Sequence, residues 1–186
     1  MMAMVQYSIF YERGSIVMSR SIDIRRITLI ALMAGLIFVL TTLPRIPTPI
    51  GGYVHLGDVG VTFAALAFGP WVALVAGGLG TALADIYGGY AQFALASLLV
   101  HGLQGWALAT IVRRRKDVLS LGLAVAAGTL IVVAGYFVAE VLMYGAADAA
   151  LELVPNALQV LTGGVIGVPL YMAVKKAYPP LSRYAM

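Results

Sequence analysis

The sequence predicts an all-α membrane protein: a six-transmembrane-helix bundle with both termini in the cytoplasm. Three observations predict it. Of 186 residues, 61% are hydrophobic and 11% charged, with a mean hydropathy of +0.95, whereas soluble domains carry about 25% charged residues. The charges are confined to short segments between runs free of Asp, Glu, Lys and Arg at 27–44, 59–84, 86–112, 118–139 and 153–174. The basic residues, finally, gather on one side when the chain is threaded through a bilayer six times.

The first run supplies span one. The second contains Gly69-Pro70, a pair that favours a turn over continued helix, so it reads either as one kinked span or as two near 56–69 and 71–86. Charge decides. Six spans place 11 of the 12 basic residues inside and leave Arg45 alone outside. Five spans would put the arginines before residue 27 and the run Arg113-Arg114-Arg115-Lys116 on opposite faces. Spans two and three are then short, about 22–26 Å by helical rise, and need protein or thinned bilayer over their ends. The last three runs give spans four to six. Residues 1–26 read as a cytoplasmic segment, with 1–17 a poorly ordered tail or a start-site artefact ahead of Met18. Residues 27–176 read as one membrane domain and 177–186 as a cytoplasmic tail.

Small residues recur at four-residue spacing in span one (Ala31 and Gly35, with Ala34 alongside) and span three (Ala76, Gly80, Ala84, joined by Gly77, Gly78 and Thr81). Such stripes let another helix approach closely. The span-three stripe reads as packing inside the bundle; the one on span one suits packing or a partner protein equally.

Acids in or near the membrane carry more information, because an ionised carboxylate is costly there. Asp58 stands at the start of span two, where it suits a helix cap as well as a ligand. Asp85 ends span three, where the helix dipole disfavours negative charge, so it calls for a ligand group or a donor from another helix. Glu140 sits between Tyr136 and Tyr144, four residues away on either side and on one face, an arrangement able to hold an aromatic solute, the alternative being a Glu paired inside the bundle. Asp148 and Glu152 read as solvated residues of an outer loop. Asn156 and Gln159 lie at the outer end of span six. Gln92 opens span four, followed inward by Ser97, His101 and Gln104, of which His101 and Gln104 read first as helix-to-helix hydrogen bonders.

Trp71 and Trp106 fall near the inner interface, and Tyr53, Tyr87 and Tyr90 near the outer one, as belt residues do, although the tyrosines suit the lining of an outward-facing pocket as well. The outer loop carries Pro44, Arg45, Pro47, Pro49, Gly51 and Gly52, the composition of a stiff lid on a glycine hinge.

Zero cysteines and two histidines, His55 and His101, leave no thiol nucleophile and little for a metal site. There is no GxxxxGK[ST], HExxH or GxSxG pattern. The sequence therefore points away from an enzyme, a cofactor, a metal centre or a nucleic-acid partner.

Several segments, taken in order over about residues 24–176, resemble a known family. They are Gly51-Gly52-Tyr53-Val54-His55-Leu56-Gly57-Asp58, Ala67-Phe68-Gly69-Pro70, the run Gly77 to Asp85 with Gly89-Tyr90, Gly135 to Glu140, Pro155 to Gln159, and Gly167-Val168-Pro169-Leu170. Together they are similar to the substrate-binding S components of energy-coupling factor (ECF) vitamin transporters, most of all the branch for hydroxymethylpyrimidine and pyridoxine. The resemblance implies six helices and a pocket near the outer surface of a prokaryotic plasma membrane. It also implies three partner subunits, one energy-coupling membrane protein and two cytoplasmic ATPases. A small-residue motif on helix one would meet the coupling subunit, a role open to Ala31, Ala34 and Gly35, although Gly35 stands where that motif has alanine.

On this reading Asp85, Glu140, Asn156 and Gln159 bind polar groups of a small vitamin-like solute, and Tyr136 or Tyr144 stacks on its ring. Asp58 and Gln92 are further candidates, and the loop 44–52 closes over the site. Two rivals stay open at this point: a stand-alone proton-coupled carrier using Asp85 or Glu140, and a scaffold subunit without a ligand.

Overall fold

A computed structural model describes residues 7–12, 15–20 and 23–184. Strands β1 (Tyr7–Glu12) and β2 (Ser15–Arg20) pair antiparallel ahead of the bundle. The expectation for 1–17 lies partly outside the described residues. Six helices follow among those described: α1 (Ile24–Thr42), α2 (Gly57–Phe68), α3 (Pro70–Gly88), α4 (Ala94–Ile111), α5 (Val118–Tyr144) and α6 (Ala146–Ala177). Two-residue strands β3 (Ile46–Pro47) and β4 (Tyr53–Val54) pair antiparallel within the α1–α2 connection. Five of the helices are long and apolar enough to cross a membrane, and α2 is a shorter apolar helix. The chain is a multi-pass cell-membrane protein.

The break between α2 and α3 has a local cause. Gly69 adopts φ +89°, a conformation that an L side chain resists, and Pro70 follows at the first position of α3. Two helices result, with corrected lengths. At 19 residues α3 is about 28 Å long and spans the hydrocarbon unaided, while α2 at 12 residues reaches only about 18 Å. Protein, rather than thinned bilayer, resolves the mismatch: 11 of the 12 residues of α2 are buried, among α1, α3, α4 and α6. It is the axis of the molecule and meets almost no lipid.

Around that axis the backbones approach closely. A Cβ on Gly78 would strike the carbonyl of Leu98 on α4, and one on Gly80 would lie 2.8 Å from the Ala34 carbonyl on α1. The small-residue stripe of α3 is therefore packing inside the bundle. Gly35 on α1 differs: a Cβ there meets nothing within 4 Å, and Ala31 beside it is exposed.

At the cytoplasmic end the Lys116 ammonium caps α2, donating to the Leu66 carbonyl at 2.5 Å. The tail folds back in a short 3₁₀ turn that buries Leu181, with Arg25 stacked 4.0 Å over the Tyr184 ring. Trp71 and Trp106 are both exposed, as interfacial belt residues are.

One expected boundary moves substantially. Asp148 and Glu152 are not in a loop, because α6 begins at Ala146 and runs through Pro155 and Pro169. Neighbouring helices make such prolines tolerable inside a membrane bundle. The consequence is that Glu152, Asn156 and Gln159 become one inward-facing column.

Candidate functional site

The outer end of the bundle holds a partly enclosed cavity with about 370 Å³ of atom-free space, its open side included. Five segments contribute to its wall. The α1–α2 connection supplies Gly52, Tyr53 and His55; α3 supplies Asp85; a 3₁₀ turn before α4 supplies Phe93; α5 supplies Tyr136 and Glu140; and α6 supplies Glu152, Asn156 and Gln159. Five of the residues proposed from sequence thus meet in one place: Asp85, Glu140, Asn156, Gln159 and Tyr136.

Three do not line it. Asp58 lies beneath the wall, fully buried and committed: Oδ1 accepts from Gln104 Nε2 at 2.5 Å, and Oδ2 from Gln159 Nε2 at 2.7 Å. Tyr144 points outward at the end of α5, 38% exposed, with its ring centroid 6.1 Å from that of Phe93. Gln92 is exposed on the 3₁₀ turn. One turn of helix separates Tyr144 from Glu140, but α5 meets its neighbours over a narrow strip and only its buried row, ending in Tyr136 and Glu140, faces inward.

The two acids that line the cavity from α3 and α5 are used differently. Asp85 is satisfied by the protein: Tyr53 Oη donates to Oδ1 at 2.6 Å, and Ser97 Oγ donates to Oδ2. The Tyr136 hydroxyl donates in turn to Ser97, since the Ser97 proton is already spent on Asp85. Of the two partners open to the end of α3, a ligand group or a donor from another helix, the Ser97 hydroxyl on α4 is the second. Glu140 is buried too, yet its Oε2 has no partner among the described residues. A buried, unpartnered carboxylate oxygen in a cavity wall is poised to accept a hydrogen bond from a solute.

Below the cavity a second polar layer ties the helices together. Gln159 Oε1 accepts from the backbone N–H of His55 at 3.1 Å while its amide nitrogen holds Asp58. Gln104, whose Nε2 donates to Asp58, accepts from His101 Nδ1 at 2.8 Å. His55, Asp58 and His101 bring potential ligand atoms within 4.8 Å of one another. The donor chemistry does not suit a metal, however. His55 Nδ1 accepts from the Gly57 N–H at 3.0 Å, so its proton resides on Nε2, the atom a metal would need bare.

The loop behaves as a brace. Gly51, at φ +82°, closes a turn in which its N–H reaches the Thr48 carbonyl at 3.2 Å. Ile50 N–H donates to Glu152 Oε1 at 3.4 Å, which ties the tip to α6. Arg45 donates to the Ala84 carbonyl at 3.1 Å and stacks 4.9 Å over the Tyr53 ring, which ties the base to α3. Of the loop residues named from sequence, Gly52 alone faces the cavity. Pro44, Pro47 and Pro49 instead line a neighbouring apolar groove against Pro155, Leu158 and Thr162 of α6.

His55, Phe93 and Glu152 line the cavity without having been named as binding residues. Tyr53 lines it too, the second of the two places open to a tyrosine at the outer end. Glu152 was cut off because the span was bounded by its own charge, although its spacing to Asn156 and Gln159 is that of one helix face.

On the lipid side, Ala31, Ala34 and Gly35 share a shallow groove with Phe38, Leu83, Ile86 and Tyr87.

The family model described as "ECF-type riboflavin transporter, S component" matches residues 21–176. The chain therefore belongs to the S components of ECF-type transporters, and is a transport subunit of the membrane. The thiamine precursor transporter HmpT of Lactococcus lactis subsp. cremoris (strain MG1363) is 34% identical over 156 residues, covering 83% of this chain and 90% of HmpT. A protein from Pyrococcus woesei described as "Uncharacterized protein in gap 3'region" is 33% identical over 144 residues, 77% of this chain and 97% of its own. A structure titled "Structure and mechanism of the S component of a bacterial ECF transporter" superposes with a TM-score of 0.66 at 17% identity, covering 83% of this chain and 98% of that one. At that identity it speaks for the fold.

Proposed function

We propose that this protein captures a small, water-soluble vitamin precursor of the hydroxymethylpyrimidine or pyridoxine class in the outer cavity, as the binding subunit of an ATP-driven importer. The observation that carries the reading is the cavity itself, where Glu140 with its free Oε2, Glu152, Asn156 and Gln159 face the aromatic side chains of Tyr53, Phe93 and Tyr136. An apolar or aromatic wall with a few converging polar groups is what a small-molecule site requires. Carboxylates and amides supply acceptors for the amino or hydroxyl donors of a substituted six-membered heterocycle, and the rings supply its stacking surfaces. The cavity is small, because its roughly 370 Å³ of atom-free space already counts the open side. That favours one ring over the tricyclic flavin that the family's description mentions. The thiamine-precursor relative supports the same class.

Transport in this reading needs an energy-coupling membrane subunit and two cytoplasmic ATPases. The groove at Ala31, Ala34 and Gly35 is the surface offered to the coupling subunit. Isothermal titration of the purified protein with hydroxymethylpyrimidine, pyridoxine and riboflavin tests the ligand: tight binding of either single-ring compound supports the proposal, and binding of riboflavin alone overturns it. Liposomes test the mechanism. The subunit alone should bind without accumulating solute, and uptake driven by an imposed pH gradient without partners would point to a proton-coupled carrier instead.

A further inference from the structure

The cytoplasmic end of the bundle has a second cavity, remote from the first, between the first turn of α5 and the last turns of α6. Lys116, Leu121, Tyr171, Met172, Lys175 and Lys176 line about 670 Å³ of atom-free space, its open side included. Lys116 is held in place within it. Its ammonium donates to the Leu66 carbonyl and to the Tyr171 hydroxyl at 3.0 Å, so one of its three protons is left over. Lys175 and Lys176 are exposed, and among the described residues none of the three lysines forms a salt bridge. The adjacent acid, Asp117, is engaged elsewhere, accepting from the Ser120 N–H at the start of α5 at 2.7 Å.

We propose that this pocket binds the phosphate headgroup of an anionic phospholipid from the inner leaflet. Charge supports an anion: three lysines line the cavity and, among the described residues, no acid does. Location supports a lipid, because the positive-inside orientation puts these lysines at the level of the cytoplasmic headgroups, where the leaflet is negative. The rest of the lining supports an attached acyl chain over a free ion. Leu121 and Met172 form the apolar flank, and Val118 and Leu119 next to it are 87% and 72% exposed, a surface for hydrocarbon to descend along. Helix-dipole compensation accounts for lysines at the end of α6. It does not account for a hollow between them with an apolar side.

Native mass spectrometry of the full-length protein, equilibrated with phosphatidylglycerol and phosphatidylcholine of matched chains, tests the site. Phosphatidylglycerol should be retained in preference, by on the order of tenfold. The exposed pair K175Q/K176Q should abolish the preference while leaving the melting temperature in zwitterionic detergent unchanged. The charge-matched loop pair R113Q/R114Q, outside the pocket, should keep it, and inorganic phosphate should not displace the lipid. Equal retention of the two lipids overturns the proposal. So does equal loss in both variant pairs, which means a diffuse surface potential, or displacement by inorganic phosphate, which means a free-anion site.

Discussion

Glu140 and Asp85 are both buried acids at one end of the bundle, and the difference lies in what already holds them. Asp85 accepts from Tyr53 and Ser97, so it fixes the loop and the base of the cavity, whereas Glu140 Oε2 is unpartnered. Replacing Glu140 by Gln keeps the shape and removes the charge. A charge-assisted hydrogen bond contributes about 1.5–3 kcal/mol, so titration calorimetry should show ligand affinity falling by roughly ten- to a hundredfold with the melting temperature nearly unchanged. Asp58→Ala should do the reverse damage. It strands the buried amides of Gln104 and Gln159, at about 1–3 kcal/mol each, and thermal unfolding should shift down even without ligand. His55 gives a pH signature. Burial holds its imidazole down at about 3, a shift that the nearby Asp58 carboxylate opposes and the Arg45 guanidinium reinforces. Its folded form stays neutral, while the unfolded chain takes a proton as pH falls through about 6.5. The stability it contributes is complete above that value and drains away toward pH 3. His55→Gln should therefore narrow the gap between melting temperatures measured near about pH 7.5 and about pH 5.

Two glycines at the level of the helices separate packing from partnership. Gly78 lies where α3 presses on the Leu98 carbonyl, so even Gly78→Ala forces two backbones apart; reduced yield and a lower melting temperature are expected. Gly35 opens on free space. Gly35→Leu should leave folding and ligand titration intact and reduce co-purification with the coupling subunit, which pull-down from co-expressing cells would measure. Both glycines were visible in the sequence as members of small-residue rows, and the rows look alike there. Which row is internal depends on how α1 and α3 are rotated, and rotation is set by neighbours far away in the chain. Likewise the charge-free run ending at Glu140 was read correctly as a span. The opposite inference, that a charge must end a span, concealed Glu152, because a bundle interior can shelter an acid that lipid cannot.

At the scale of the molecule, α2 shows why a helix of about 18 Å can belong to a membrane protein: its ends are capped by Lys116 below and by the braced loop above, and its sides are covered by protein. Loop and polar layer also join the outer cavity to the axis, since Gln159 touches both the His55 backbone and Asp58. The sequence alone determined the class, the number of crossings and their orientation. Hydropathy and the placement of basic residues are one-dimensional properties that a bilayer reads directly, and together with the turn-favouring pair Gly69-Pro70 they settle two spans over one kinked span. It also narrowed the acids and amides to a set. Only the tertiary structure decided which of them share a cavity, which serve as internal ties, and that Tyr144 and Gln92 face away. Side-chain direction on a helix depends on the contacts that rotate it, and those contacts come from residues far apart in the chain, as with His55 and Gln159, 104 positions apart.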